Sequence, residues 1–494
     1  MSTSGNSNGR CACLGAILAM IGACAVGPDF VRPAPPQAER YTADPMPAST
    51  IAADGQTQRL IFGGTLNSDW WRLFNSGQLD AVVQQALTGN PTLQAAEASL
   101  RQSRHNLRAG YGVFFPQAGI EFDAVRERSA ALQQGIQTTP SVFNLITLSG
   151  TISYALDIFG GERRTVEGLK AQVDYQRYLS KAAYLTLSAN VVNTSIARAA
   201  YTAEVQATEQ LIELQQQQLK STEVQVRVGT APYVDVLSLR GLIAANQAAL
   251  APLRQKVSQT MDLLASLEGV VPASANLPDI DITALSLPRD LPVSVPSDLA
   301  RERPDILSSE AQLHAASANI GVATAAMFPS IGLSATYGGA ASSFGTLSAA
   351  SGRFWSIGPS ASIPVFQGGK LWYGRKAAID AYQAAQANYR QTVLDAFAQV
   401  ADSLKALEHD AQGLQAEVDA QQAAAETLRL VQTNYQAGLL SAMDVWAADA
   451  ALHEATISYV QAVAQRYQDT VALFVALGGG WWNEPRPTEP PAAP

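Results

Sequence analysis

NPTLQAAEASLRQSRHNLRAGYGVFFPQAGI, residues 90–120, returns 213 positions later as RPDILSSEAQLHAASANIGVATAAMFPSIGL, residues 303–333, and the two align without a gap. Pro91 falls on Pro304, Glu97 on Glu310, Leu100 on Leu313, Asn106 on Asn319, and Phe115-Pro116 on Phe328-Pro329. Each copy starts near a Pro, keeps helical spacing through a Pro-free run, and stops at the aromatic-Pro pair. Beyond that pair the apolar period drops to two, so each copy reads as a helix that runs into a strand. A repeat of this length places two structural units of similar shape in one chain.

Four strands follow from the alternation, at about 117–126, 145–157, 330–338 and 354–366. In the second, Ile146, Leu148, Ile152, Tyr154 and Leu156 alternate with Thr147, Ser149, Thr151, Ser153 and Asp157. Period two sustained over about ten residues is what a transmembrane β-strand needs. Aromatics mark the strand ends, among them Phe114, Phe115, Phe159, Phe328, Phe354 and Trp355. Four strands cannot close a barrel, and lipid tolerates no open edge. Two copies give eight strands and a filled lumen, whereas three give twelve and leave room for a channel. Pro359 interrupts the fourth run, and a local bulge is expected there.

Glu162–Val228 contains no Pro and a single Gly, Gly168, and Lys370–Gln436 is a second Pro-free run of the same length. As a helix each would be about 100 Å long. Both end in a Gly turn at a fixed distance from an Asp: Gly229 before Asp235-Val236-Leu237, and Gly438 before Asp444-Val445-Trp446. Gly commonly follows a helix C-terminus. Return helices at 233–267 and 440–476 are about half as long, and the helices at 91–115 and 304–328 supply the missing length. Segments 54–90 and 268–302 form an irregular belt. Pro252 should kink the first return helix. Ala dominates the apolar stripe, with Gln, Ser and Thr opposite, which suits a curved wall with water behind it.

Residues 1–23 read as an export signal. Arg10 is the positive residue, ACLGAILAMIGA the apolar core, and Ile21-Gly22-Ala23 precedes Cys24. This is similar to a bacterial lipoprotein signal, which implies a lipid on Cys24 and, with Ala25 next, delivery to the outer membrane. Cys11 and Cys13 would leave with the signal, so no disulfide or Cys metal site is expected. Residues 24–64 read as a lipidated linker and 478–494 as a Pro-rich tail, and Trp70-Trp71…Phe74 as a packing anchor. The net charge of −9 and pI near 5.1 speak against nucleic acid. The histidines (His105, His314, His409, His453) are scattered. His453-Glu454 lacks the second His of a zinc-protease motif, where Ile457 stands, and Gly368-Gly369-Lys370 is not a phosphate loop. No enzyme and no cofactor are expected.

The lipobox Cys with Val26-Gly27-Pro28-Asp29-Phe30, then Trp70-Trp71, Asn90-Pro91, Arg303-Pro304-Asp305-Ile306 and Gly438…Asp444-Val445 resembles the outer-membrane efflux lipoproteins of the NodT type, relatives of TolC. The resemblance spans Cys24 to about residue 480. It implies an α+β membrane protein: a homotrimer with a 12-stranded transmembrane β-barrel, four strands per chain. A 12-helix periplasmic α-barrel with an equatorial belt continues it, over an internal two-fold repeat of residues 65–267 and 303–477 joined by the connector 268–302. It further implies a passive exit duct set in outer-membrane lipid, engaged by a periplasmic adaptor protein and an inner-membrane transporter of the resistance-nodulation-division class. By the same resemblance the adaptor docks on Gly229, Thr230, Gly438 and Leu439, and Asp444, Asp235 and Tyr435 form the periplasmic gate. Ala447 and Leu440 depart from the pattern, where relatives have a second Asp and an Arg. Two other readings are a conduit for protein secretion, which would share the fold, and a structural envelope lipoprotein without a conducting pore.

Overall fold

The structure, a computed structural model, describes residues 25–129 and 141–483. Cys24, the signal, the tip of the first hairpin loop and residues 484–494 lie outside them. The elements in chain order are β1 (Arg59–Phe62), α1 (Gly77–Gly89), α2 (Pro91–Gly110), β2 (Gln117–Ser129), β3 (Ser141–Leu156), α3 (Gly161–Arg227) and α4 (Tyr233–Glu268). The second half has β4 (Asp290–Val293), α5 (Pro296–Glu302), α6 (Pro304–Ala325), β5 (Ser330–Ala341), β6 (Arg353–Ser362), α7 (Lys370–Gln436) and α8 (Ala442–Ala476). α3 and α7 are both 67 residues long. α4 and α8 have 36 and 35 residues. Chain segments group into two compact units.

The first unit comprises Met1–Pro33, Ser99–Gln176 and Ser309–Tyr389. Its sheet is antiparallel in the order β2-β3-β5-β6. The register lines up Ile120, Gly150, Tyr337 and Trp355 in one row across the four strands, and Ala118, Ile152, Ala335 and Ile357 in another. Alternation therefore collects the apolar side chains on one face and Thr151, Ser153, Ser334, Thr336, Ser356 and Ser360 on the other. That apolar face is bare: Ile120 is 85% exposed, Trp355 72% and Ile357 66%. An uncovered apolar face of this extent needs an apolar solvent.

β2 and β6 are the outer strands of this sheet. The bulge expected at Pro359 does not form, since Pro359 pairs with Leu333 in an unbroken register. An edge strand accepts a residue without an N–H because every second residue directs its ladder groups away from the sheet. β6 also stops at Ser362, short of the expected 366. Pro364 follows, and Gly368 and Gly369 adopt φ of +56° and +86°, turning the chain into α7.

Residues 26–32, at the start of the stretch that reads as an extended linker, are held against this unit. The Val26 N–H donates to Phe159 O at 3.0 Å. Arg164 donates to Asp29 Oδ1 and Glu167 Oε2, each at 2.7 Å. The Phe30 ring stacks on His314 at 4.3 Å, and Arg32 meets Glu310 at 2.7 Å. Gly27 sits at φ +97°, and a Cβ there would lie 2.5 Å from Gly321 Cα. Only Gly fits that close approach.

The second unit comprises Ala34–Ala98, Arg177–Ser308 and Arg390–Pro494. Within the expected linker, β1 pairs in parallel with β4, with Arg59 beside Asp290. Trp70, Trp71 and Phe74 are buried, Trp70 against Phe474 and Trp71 donating to Asp80 Oδ1 at 2.8 Å. Burying such rings stabilises by about 1.5–3 kcal/mol each, so the anchor reading is correct. The expected tail starts later than residue 478: Trp481 Nε1 donates to Glu302 O at 2.7 Å, and Gly478–Gly480 are buried. α4 runs unbroken through Pro252.

A polar knot with Arg466 at its centre joins α8 to the N-terminal segment of this unit. Arg466, 1% exposed, donates to Gln58 Oε1, Ala53 O, Thr50 Oγ1 and Gln56 O. Gln58 in turn donates to Thr470 Oγ1 at 3.1 Å and Pro288 O at 3.2 Å. Burial and the neighbouring Asp469 push the Asp410 carboxyl up to about 7, while Arg466 pulls it down.

Candidate functional site

Both long helices end in the same backbone motif within the second unit. At the end of α3, Gly229 N–H donates to Val226 O at 3.1 Å and Thr230 N–H to Gln225 O at 2.9 Å. At the end of α7, Gly438 N–H donates to Tyr435 O and Leu439 N–H to Asn434 O, both at 2.9 Å. These are two Schellman caps in equivalent places. They require a left-handed residue, supplied by Gly229 at φ +80° and Gly438 at φ +76°. The space around both glycines is open, so conformation and not packing selects Gly.

The turns carry a dense set of exposed apolar side chains: Val228, Tyr233, Val234 and Leu237 at the first, Leu439, Leu440 and Met443 at the second. Leu439 is 75% exposed. A helix pair that only needed to reverse direction would place polar residues here. The two matched turns thus carry matching apolar rims.

Asp444 stands in the first turn of α8 and is exposed. Its Oδ2 accepts the Ser441 backbone N–H at 2.8 Å and the Ser441 hydroxyl at 2.7 Å. Those hydrogen bonds, the hydroxyl's first, hold the carboxyl below its ordinary range. Asp235 occupies the same place in α4, where the residue before the helix is Pro232 and has no N–H to offer. Its backbone N–H donates to Pro232 O at 3.1 Å. Tyr435 contributes its carbonyl to the second cap and is half-buried. Cys24 lies outside the described residues.

The two helical hairpins, α3–α4 and α7–α8, are tied together by buried side chains that sequence pattern did not single out. Gln218 on α3 donates to Asp449 Oδ2 on α8 at 2.7 Å. Further along, Gln461 on α8 donates to Glu204 Oε1 on α3 at 3.1 Å. Asp449 and Glu204 are 3% and 2% exposed. Burial raises both carboxyls above their ordinary range, opposed by the amide hydrogen bonds. The only signal in the sequence was an acid inside the apolar stripe of a helix. Among the described residues no cluster of metal-ligating side chains forms.

Residues 82–270 and 295–479 match a family model described as outer membrane efflux protein. The chain belongs to the outer membrane efflux protein family. The two matched ranges begin 213 residues apart, the offset of the internal repeat. The toluene efflux pump outer membrane protein TtgC of Pseudomonas putida is 28% identical over 472 residues, 94% of each chain. The cation efflux system protein CusC of Escherichia coli is 27% identical over 471 residues, 94% of this chain and 97% of its own. The solved outer-membrane channel OprN superposes with a TM-score of 0.82 at 26% identity, over 93% of this chain and 100% of its own. This outer membrane efflux protein is thus the outer-membrane channel of an efflux pump, and its family transports without catalysis. The four strands and two helical hairpins described above are the fold of these channels.

Proposed function

We propose that three copies of this chain close one duct, β2 of each pairing with β6 of the next in a twelve-stranded barrel. The unpaired outer edges of β2 and β6 support this, because an open edge in lipid leaves backbone groups without hydrogen bonds at several kcal/mol each. The duct lets substrates out passively, handed over by an inner-membrane transporter of the resistance-nodulation-division class through a periplasmic adaptor. A lipid on Cys24 ties the N-terminus to the outer membrane, next to the seated segment 26–32. The names of relatives span toluene and cations, which fits a duct whose wall does not choose the cargo.

The observation that carries the docking reading is the pair of Schellman turns with exposed apolar rims. The adaptor contacts Gly229, Thr230, Gly438 and Leu439, and Asp444, Asp235 and Tyr435 narrow the aperture beside them. Site-specific photocrosslinking from position 230 or 439 in cells tests it. Adducts with a periplasmic adaptor are expected from both positions. Adducts from neither, with adducts from a control position on the belt, would remove the turns as the docking site. Crosslinking that stops at dimers would remove the twelve-strand count.

A further inference from the structure

Two buried acceptor atoms near the turns have no partner among the described residues, and they belong to one side-chain pair. Gln218 Nε2 donates to Asp449 Oδ2 at 2.7 Å, while Gln218 Oε1 and Asp449 Oδ1 are both buried without a hydrogen bond. An orphaned acceptor in such a place is destabilising, and two acceptors facing the same pair repel. One proton on Asp449 Oδ1, donated to Gln218 Oε1, satisfies both atoms and closes a ring of two hydrogen bonds.

We propose that Asp449 binds a proton in the closed seam and forms with Gln218 a cyclic acid–amide pair, a latch between the two helical hairpins that loosens when the proton leaves. Deprotonation breaks the Oδ1–H bond and passes the proton to water. What remains is a buried carboxylate with one hydrogen bond. No ion pair reaches Asp449 among the described residues. Two pairs of charged groups on the helices around it are engaged with each other, Glu223 of α3 with Arg240 of α4 at 2.9 Å and Glu426 with Arg429 of α7 at 2.6 Å. On α8 itself, burial lowers the pKa of His453 while Glu454 opposes it, so His453 supplies no compensating charge near neutrality. On α3 and α4, Gln215 Oε1 accepts from Asn246 Nδ2 at 2.9 Å, while Gln215 Nε2 is itself buried without a partner among the described residues. Burial raises the Asp449 carboxyl above its ordinary range. The seam is therefore tight at low pH and weakens as pH rises toward the raised value. A second acid–amide pair, Glu204–Gln461, lies about 21 Å along α3, with Lys256 opposing the effect of burial on its carboxyl, so the two hairpins are held by acid–amide pairs at two levels.

The inference rests on the chain being a channel and not on the docking proposal. Its test compares the full-length channel with Asp449→Asn, whose carboxamide makes the same two-bond ring with Gln218 and has no proton to lose. Infrared spectra of wild type at mildly acidic pH should contain a protonated-carboxyl stretch that the variant lacks. In planar bilayers wild-type conductance should rise with pH, and the variant should keep the low-pH conductance throughout. A wild-type spectrum that the variant leaves unchanged shows a charged or water-bridged Asp449 and overturns the ring. A band lost in the variant, with wild-type and variant conductance following pH alike, overturns the latch.

Discussion

Asp444 Oδ2 takes two hydrogen bonds from Ser441, one from its backbone N–H at 2.8 Å and one from its hydroxyl at 2.7 Å. The carboxylate therefore caps α8 from the inside, as the third residue of a capping box does, while staying exposed at the turn. The two roles separate by substitution. Asp444→Asn keeps an acceptor for Ser441 and removes the charge. Weaker cation selectivity and weaker block by divalent ions are expected in bilayer recordings, with assembly unchanged, since acidic rings draw cations into a pore. Unaltered selectivity would exclude a charged aperture at this position.

The same contact predicts a pH effect on the start of α8. Because Ser441 holds the carboxyl below its ordinary value of 3.8, the cap contributes above that value and is lost as pH falls through the lowered one. Hydrogen exchange at residues 442–446 should lose protection in strong acid in wild type. Asp444→Ala should show that loss at every pH.

At the turns, Gly229→Ala or Gly438→Ala places an L side chain at φ near +80°. The space is open, so the cost is that of the left-handed conformation alone, about 1–2 kcal/mol. Proline at either position also deletes the cap donor and demands φ near −65°. Alanine variants are expected to assemble and export. Proline variants should assemble, migrate as wild type on native gels, and fail to export in efflux assays.

The two faces of the sheet should respond oppositely to charge. Ile120 stands on the apolar face and Thr151 on the polar one. Arg on a lipid-facing strand costs about 2–4 kcal/mol at the bilayer midplane. Ile120→Arg should lower the yield of assembled, heat-modifiable protein in the outer membrane, and Thr151→Arg should not. Equal yields would reverse or remove the assignment of the lipid face.

Arg466→Leu would orphan the buried acceptor Gln58 Oε1, at about 1–3 kcal/mol, and would take one of the two hydrogen bonds of Ala53 O, which keeps the Gln56 N–H. Protease cleavage within residues 50–58 and a lower melting temperature are expected. Asp410 gives the pH signature of the same knot. Its folded pKa is raised from 3.8 to about 7, so the stability it contributes is complete below 3.8 and lost as pH rises toward 7. Asp410→Asn should flatten the melting temperature across that interval.

The helices, four strands, two Gly turns and their two-fold repetition were legible in the chain because each rests on short-range physics. Period two and period 3.6 are properties of neighbouring residues. A left-handed cap needs only a Gly at the right place, and Gly229 and Gly438 announce it. The packing anchor at Trp70, Trp71 and Phe74 was legible for its sheer apolar area. Details inside the elements were less so, since Pro359 reads as a defect until β6 is known to be the outer strand of the chain's own sheet.

What the tertiary structure alone decided lies in contacts between residues far apart in the chain. Residues 49–62 look like a linker because their partners are elsewhere: Arg466 for Thr50, Ala53 and Gln58, and Asp290 for Arg59. Gln218 and Asp449 are ordinary polar residues in two separate helices until packing buries both and leaves one oxygen of each unpaired. Periodicity states which face of a helix turns inward, but not which residue of another helix meets it there. A buried acid's charge state is set by that meeting, because desolvation and hydrogen bonding are properties of the packed site and not of the sequence around it.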